Sequence, residues 1–207
     1  MIARCGDACN TPESSPLADL LSLTRRPDHL QIVDVRRLTP FQRALLEIDG
    51  TVTRFIEAYM LDPVEVTMLN QTVQCLESPH NLLETGAGTE VIAREVLLRG
   101  MRRSVVYAYA VSLFVPSRLP AGIIAMLQSE PGGLGRVLTT GAIENRREVL
   151  WYGWEYLPTM PPQVQQHTGT QFLSRTYRIF IGGVPAMVIN EKFPTSLADQ
   201  IADPAEW

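Results

Sequence analysis

Apolar residues recur at helical spacing in the first third of the chain and at strand spacing beyond it. Ser15-Pro16 couples a capping side chain to a proline suited to a first helical turn, and predicts a short helix through Leu23. Thr39-Pro40 repeats that signature ahead of Phe41, Ala44, Leu45 and Ile48, which share one helical face. Asp49-Gly50 breaks this second helix. Thr51 can cap a third, in which Val52, Phe55, Ile56 and Tyr59 form one stripe.

After Asp62-Pro63 the period shortens. Val64, Val66, Met68, Thr72 and Val73 read as a strand, and Val91 to Leu98 as a second, after a loop holding Pro79, Gly86 and Gly88. Val105 to Val115 is a third, hairpin-paired to the second through Gly100 to Ser104. Ser117 to Gln128 reads as a helix with Ile123, Ile124 and Leu127 inward. The glycine-rich stretch Pro131 to Leu138 reads as a loop around Leu134, whose backbone can approach a ligand closely. Ile143 to Leu157 resumes strand character with Trp151, Tyr152 and Trp154, and Gln171 to Pro194 is a hairpin turning at Gly182-Gly183. Helices first, then consecutive strands with one helical interruption, predict an α+β fold on an antiparallel meander. One domain is expected over residues 15–207, behind a loosely held arm at 1–14.

Two positions stand out against this frame. By strand alternation Arg94 shares a face with Ile92, Val96 and Leu98, so a guanidinium sits among apolar side chains and needs an anion, whether an internal acid or a ligand. Glu191 ends a mostly apolar strand, and is either solvated at a rim or aimed into a pocket where something must pair with it. The Gly50-Thr51 corner, at a helix start, can hold an anion or serve as a plain cap.

Composition narrows the partners. A formal net charge of −4 argues against nucleic acid, which demands a concentrated basic surface. Lys192 is the sole lysine, so nearly all cations are arginines, suited to bidentate carboxylate recognition; a small anion fits better than a polyanion. The pairs Arg102-Arg103 and Arg146-Arg147 read as solvated turns. Apolar runs such as Val105 to Val115 are too short to span a membrane. Three cysteines, an odd number, suit a reducing, cytoplasmic compartment, and Cys5 and Cys9 lack further metal ligands at suitable spacing. His29, His80 and His167 fall in separate polar loops, which offers neither a metal triad nor a histidine-based catalytic triad.

Five stretches carry a resemblance to a known family: DGTVTRFIEAY at Asp49 to Tyr59, AREVLL at Ala93 to Leu98, LGRVL at Leu134 to Leu138, NRREV at Asn145 to Val149, and SRTYRIFIGGVPAMVINEKFP at Ser174 to Pro194. In that order they resemble the chorismate pyruvate-lyase family, in its actinobacterial and cyanobacterial branch of 4-hydroxybenzoate synthases. The resemblance implies a six-stranded antiparallel sheet with helices packed on it and an enclosed site under helical flaps. It implies that Arg94 binds a substrate or product carboxylate, that the Leu134 N–H contributes to the same group, and that Glu191 contacts the 4-hydroxyl end. Thr51 aligns with a helix-start position near the carboxylate, where better-known bacterial members have methionine. The implied reaction eliminates pyruvate from chorismate without a metal or redox cofactor, in a monomer or weak homodimer. A relative acting on another carboxylic acid and a ligand-sensing module of the same fold are the rival readings.

Overall fold

The computed structural model describes residues 15–129, 133–158 and 160–199. The arm expected at 1–14, with Cys5 and Cys9, lies outside the described residues, as do Gly132 and the tail from 200 onward. Cys75 is disulfide-bonded, which the reading of three reduced cysteines does not anticipate.

The chain runs α1 (Pro16–Ser22), α2 (Pro40–Glu47), α3 (Val52–Met60), β1 (Val64–Cys75), β2 (Glu90–Gly100), β3 (Val106–Phe114), α4 (Ile123–Ser129), α5 (Gly133–Thr140), β4 (Arg146–Tyr156), α6 (Pro162–Gln165), β5 (Gln171–Ile181), β6 (Val184–Pro194) and α7 (Ser196–Asp199). The predicted N-terminal caps form at two helices. Ser15 accepts from the Ala18 N–H at 3.2 Å, and Thr39 and Gln42 close a reciprocal capping box. Thr51 precedes α3, but its side chain makes no capping bond. None of the helices among the described residues is long and apolar enough to cross a membrane.

All six strands pair antiparallel, in the order β1-β2-β3-β6-β5-β4. This departs from the expected meander. After β3 the chain leaves through α4 and α5 and returns as β4 at the far edge, and the β5–β6 hairpin fills the gap between. Burial explains the placement: β3 is buried along its whole length and β6 at every residue but Val184, whereas edge strand β1 is mostly accessible. Strands apolar on both faces belong at the centre of a sheet. The hairpin turns on Gly182 and Gly183, with φ of 60° and 82°, the pair of positive values that a tight two-residue connection requires.

Two helix predictions shift. The expected helix from Ser117 begins only at Ile123, because a 3₁₀ turn at Pro116–Arg118 and then Pro120 intervene. The expected glycine loop is largely helix α5, in which Val137 and Leu138 are buried. Its glycines serve close packing: a Cβ on Gly135 would collide with the Thr51 side chain, so α5 lies directly on the start of α3.

The sheet is covered on both sides. One face carries α2 to α5, with Phe41, Leu45 and Ile56 packed near β1 and β2, and Ile123, Leu127 and Val137 packed near β6. The opposite face carries α1, α6 and a strap at 23–31 that pairs Gln31 with Trp154 at the edge of β4. His80, expected in a polar loop, is buried and ties α1 down: its Nε2 lies 3.1 Å from the Leu20 carbonyl and its Nδ1 accepts from the Leu83 N–H.

Candidate active site

Alternation along the strands sends neighbouring residues to opposite faces, and on the helix-covered face it builds two adjacent rows. Arg94, Ser112, Ile189 and Tyr177 stand opposite one another across β2, β3, β6 and β5. The next row holds Val96, Ala110, Glu191 and Arg175. Two strand spacings and one two-residue step put the Cα atoms of Arg94 and Glu191 about 12 Å apart. Between them stand the small side chains of Ala110 and Ser112, and the space they leave is a cavity of about 70 Å³. Its roof is the start of α3 at Thr51 and the start of α5 at Gly133 to Gly135. All four residues singled out from the sequence, Thr51, Arg94, Leu134 and Glu191, line this one cavity.

Arg94 is 4% exposed. Its Nε is buried without a partner, and its one hydrogen bond, from an Nη to the Leu127 carbonyl, is long at 3.4 Å. No described acid lies within ion-pair distance of it. Burial accordingly pulls its pKa below the usual arginine value. The internal salt bridge that would have explained a buried arginine is therefore not its partner among the described residues.

Glu191 is buried rather than solvated at a rim. One oxygen accepts from Arg175 Nε at 2.8 Å and the other from the Tyr177 hydroxyl at 3.0 Å. Arg175, 1% exposed, is itself anchored, donating to the carbonyls of Leu46 and Ile48 at the end of α2. Burial pulls the Arg175 pKa down, but the charge of Glu191, together with Tyr177 and the hydrogen bonds to both, outweighs it, and the net shift is upward. Burial and then the Glu191 charge push the Tyr177 hydroxyl well above the usual tyrosine value, so it stays a proton donor.

Sequence reasoning missed Arg175, Tyr177 and Arg147. The first two were visible in principle, because alternation along β5 puts both on one face. Arg147, expected in a solvated turn, is half-buried on edge strand β4 and lines the cavity. One Nη donates to the carbonyls of Asp49, at 2.6 Å, and Gly50, while its Nε is buried without a partner. The cavity thus gathers two guanidiniums with no acid among the described residues in ion-pair distance, a Glu191 already neutralised by Arg175 behind it, and the positive ends of two helices.

A larger concavity, about 250 Å³, lies on the opposite face under α1 and the strap, floored by Trp151, Ser174, Thr176, Asn190 and Lys192. There the buried charges are paired. Lys192 Nζ lies 2.6 Å from Glu155 Oε2, and His29 Nε2 is 3.3 Å from the other oxygen. The smaller cavity is the better candidate for binding an anion.

Comparison with known proteins supplies the rest. A family model described as "Chorismate pyruvate-lyase Rv2949c-like" matches residues 46–200. A chorismate pyruvate-lyase of Mycobacterium tuberculosis (strain ATCC 25618 / H37Rv) is 29% identical over 170 residues, covering 79% of this chain and 84% of that relative. The chorismate pyruvate-lyase of Mycobacterium leprae (strain TN) is 25% identical over 176 residues, covering 79% of each. Among solved structures, the effector domain of PhnF from Mycobacterium smegmatis shares the fold, with a TM-score of 0.54 at 11% identity over 71% of this chain and 90% of that one. The family match takes in every cavity residue named above and leaves out α1 and the strap.

Proposed function

The chain belongs to the Rv2949c-like chorismate pyruvate-lyase family, and we propose that it eliminates pyruvate from chorismate to leave 4-hydroxybenzoate, with Arg94 and Glu191 gripping opposite ends of the ring. The observation that carries the residue roles is the Arg94 guanidinium, buried with no described acid beside it and facing Glu191 across a floor of small side chains.

The reaction breaks the bond between the ring and the ether oxygen of the enolpyruvyl arm. The hydrogen on the neighbouring hydroxyl-bearing carbon leaves as a proton, and the ring becomes aromatic. The departing enol gains a proton at its methylene carbon to become pyruvate, so the atoms of chorismate are all accounted for in the two products. Aromatisation supplies the driving force, and the protein's task is to hold the ring so that both bonds can break. Arg94 takes the ring carboxylate in an ion pair, joined by the Leu134 N–H in the first turn of α5 and by the start of α3 at Thr51. Glu191 receives the ring hydroxyl. Arg175 and Tyr177 each fix one of its oxygens, so the carboxylate is set before substrate arrives, and the remaining lone pairs are left for the hydroxyl. A dry, covered cavity strengthens both contacts.

The test is to incubate the purified protein with chorismate and quantify 4-hydroxybenzoate and pyruvate, with Glu191→Ala alongside. Equimolar release by the native protein, lost in the variant, is the expected result. Folded protein that binds 4-hydroxybenzoate but releases neither product is a sensor or a repurposed relative, and the proposal fails.

A further inference from the structure

Chorismate carries two carboxylates, and the contacts above neutralise only one. The ring carboxylate stays with the aromatic product; the other sits on the enolpyruvyl arm and leaves with pyruvate. Placing a carboxylate in a covered cavity without a countercharge costs several kcal/mol, so a second cation is required. Lys192 lies on the other face of the sheet, and Arg175 is committed to Glu191 and two backbone carbonyls. Of the cations lining the cavity, Arg147 remains.

We infer that Arg147 binds the carboxylate of the enolpyruvyl arm and thereby distinguishes the intact substrate from its aromatic product. This rests on the lyase reading.

The order of the strands supports the assignment. From β2 to β4 the sheet presents Arg94, then Glu191 on β6, then Tyr177 on β5, then Arg147. A ring with its carboxylate on Arg94 and its hydroxyl on Glu191 points its far end toward β4. The enolpyruvyl arm is attached to the carbon next to the hydroxyl-bearing one, so it extends toward β4 as well. Four strand spacings, about 19 Å, separate the backbones that bear the two arginines. Two long side chains reaching inward from those positions leave room for one ring and its arm.

Arg147 is also built to recognise rather than to swing. Its Nη is tethered to the carbonyls of Asp49 and Gly50, which fixes the guanidinium plane, while its Nε proton is buried and unclaimed. A planar fork held this way suits a carboxylate. Arg147 further borders an outer groove of about 360 Å³ next to Asn145 and Leu138. The half of the substrate that must depart therefore lies nearest the outside, and the half that is retained lies deepest.

The experiment combines chorismate kinetics with 4-hydroxybenzoate titration for the native protein, Arg147→Gln, Arg147→Lys and Arg94→Gln. Arg147→Gln should lower kcat/KM for chorismate about 30-fold or more, while the Kd for 4-hydroxybenzoate changes about twofold or less. Arg147→Lys should recover part of the loss. Arg94→Gln should weaken both. Pyruvate should inhibit the native protein competitively against chorismate, and Arg147→Gln should lessen that inhibition. Because 4-hydroxybenzoate binding reports an intact cavity, a misfolded variant is recognised and the lysine variant then decides. Unchanged kinetics in Arg147→Gln would overturn the inference. So would an equal loss of product affinity, which would mean that Arg147 acts only by holding the Asp49-Gly50 backbone. A native protein that binds 4-hydroxybenzoate without turning over chorismate removes the lyase reading itself, and this inference with it.

Discussion

Each face of the sheet buries a cation, and the two faces treat it differently. Under the strap, Lys192 is 3% exposed and meets Glu155 at 2.6 Å. The amide nitrogen of neighbouring Asn190 is shared among Ser174, Thr176 and the Arg175 carbonyl. Under the helices, Arg94 is about as buried at 4% and has no described acid at all. A single run of three residues in β6, Asn190-Glu191-Lys192, serves both sides. The contrast separates two uses of buried charge. A pair satisfied within the chain asks nothing of a ligand and contributes to holding the fold. A guanidinium left open is a liability to the empty protein and an attraction to an anion, the compromise between stability and function expected at binding sites.

If that contrast is correct, each face should respond to substitution in its own currency. The largest effect is expected from Lys192→Met, which strands Glu155 as an uncompensated buried charge. It should lower stability by about 3–5 kcal/mol in urea unfolding while leaving kcat/KM of the folded protein unchanged. Adding Glu155→Met should recover much of the loss, because replacing both members of a buried pair by apolar residues is often nearly neutral. A drop in turnover as large as the drop in stability would join the two faces into one site.

Next comes Arg94→Leu, which should reduce turnover by about 10² to 10³-fold and abolish 4-hydroxybenzoate binding. Its melting temperature should hold or rise, since the substitution removes a charge without an acid. A melting temperature several degrees lower would make Arg94 a structural residue.

Acid should test the paired face in the unmodified protein. Burial raises the Glu155 pKa, but the charge of Lys192 and hydrogen bonds from Lys192, Ser174 and His29 outweigh it and hold the carboxyl below the ordinary range. A folded pKa below the unfolded one means that the folded state binds fewer protons. The contribution is therefore fully present above about pH 4.3 and is lost as pH falls below it. Stability measured from pH 6 down should fall more steeply in the native protein than in the Lys192→Met/Glu155→Met double variant. Parallel curves would show that the pair contributes nothing.

The smallest effect belongs to Thr51→Val. The Thr51 hydroxyl caps nothing, and its methyl group meets Gly135 in a contact that valine preserves. Stability and 4-hydroxybenzoate affinity should stay within about 0.5 kcal/mol. A larger loss of affinity would place the hydroxyl, rather than the helix start, in the site.

The N-terminal helices and the strand faces were legible because their signals are local. Ser15-Pro16 and Thr39-Pro40 cap where expected, and alternation alone put Arg94 on the face of Ile92, Val96 and Leu98. What stayed hidden depends on pairing between distant strands. Counting back from the Gly182-Gly183 turn, where Ile181 faces Val184, a regular hairpin would set Ser174 opposite Glu191. A register shift between Ile179 and Phe180 moves Arg175 there instead, and with it the partner of the carboxylate. The insertion of β6 between β3 and β5 was invisible for the same reason. Helix α5 was concealed by its own glycines: Gly135 serves the close approach to Thr51, and Gly133, at φ 70° against Val66, the entry to the helix.

The register shift between Val149 and Trp151 in β4 has a consequence for how this scaffold can change. Arg147, Trp151 and Glu155 are all odd-numbered, so a regular strand would send them to the same side. The shift breaks that parity, giving Arg147 to the anion cavity and Trp151 and Glu155 to the floor beneath the strap. A regular strand of the same length would carry Glu155 to the wrong side, orphaning the chain's single lysine and delivering a negative charge to the cavity that holds Arg94; deleting the extra residue, Leu150, would instead straighten β4 and leave Arg147 and Glu155 on their present faces. Point substitutions can alter the two faces independently, whereas a one-residue slip of β4 that lost the bulge and kept every residue would damage both together.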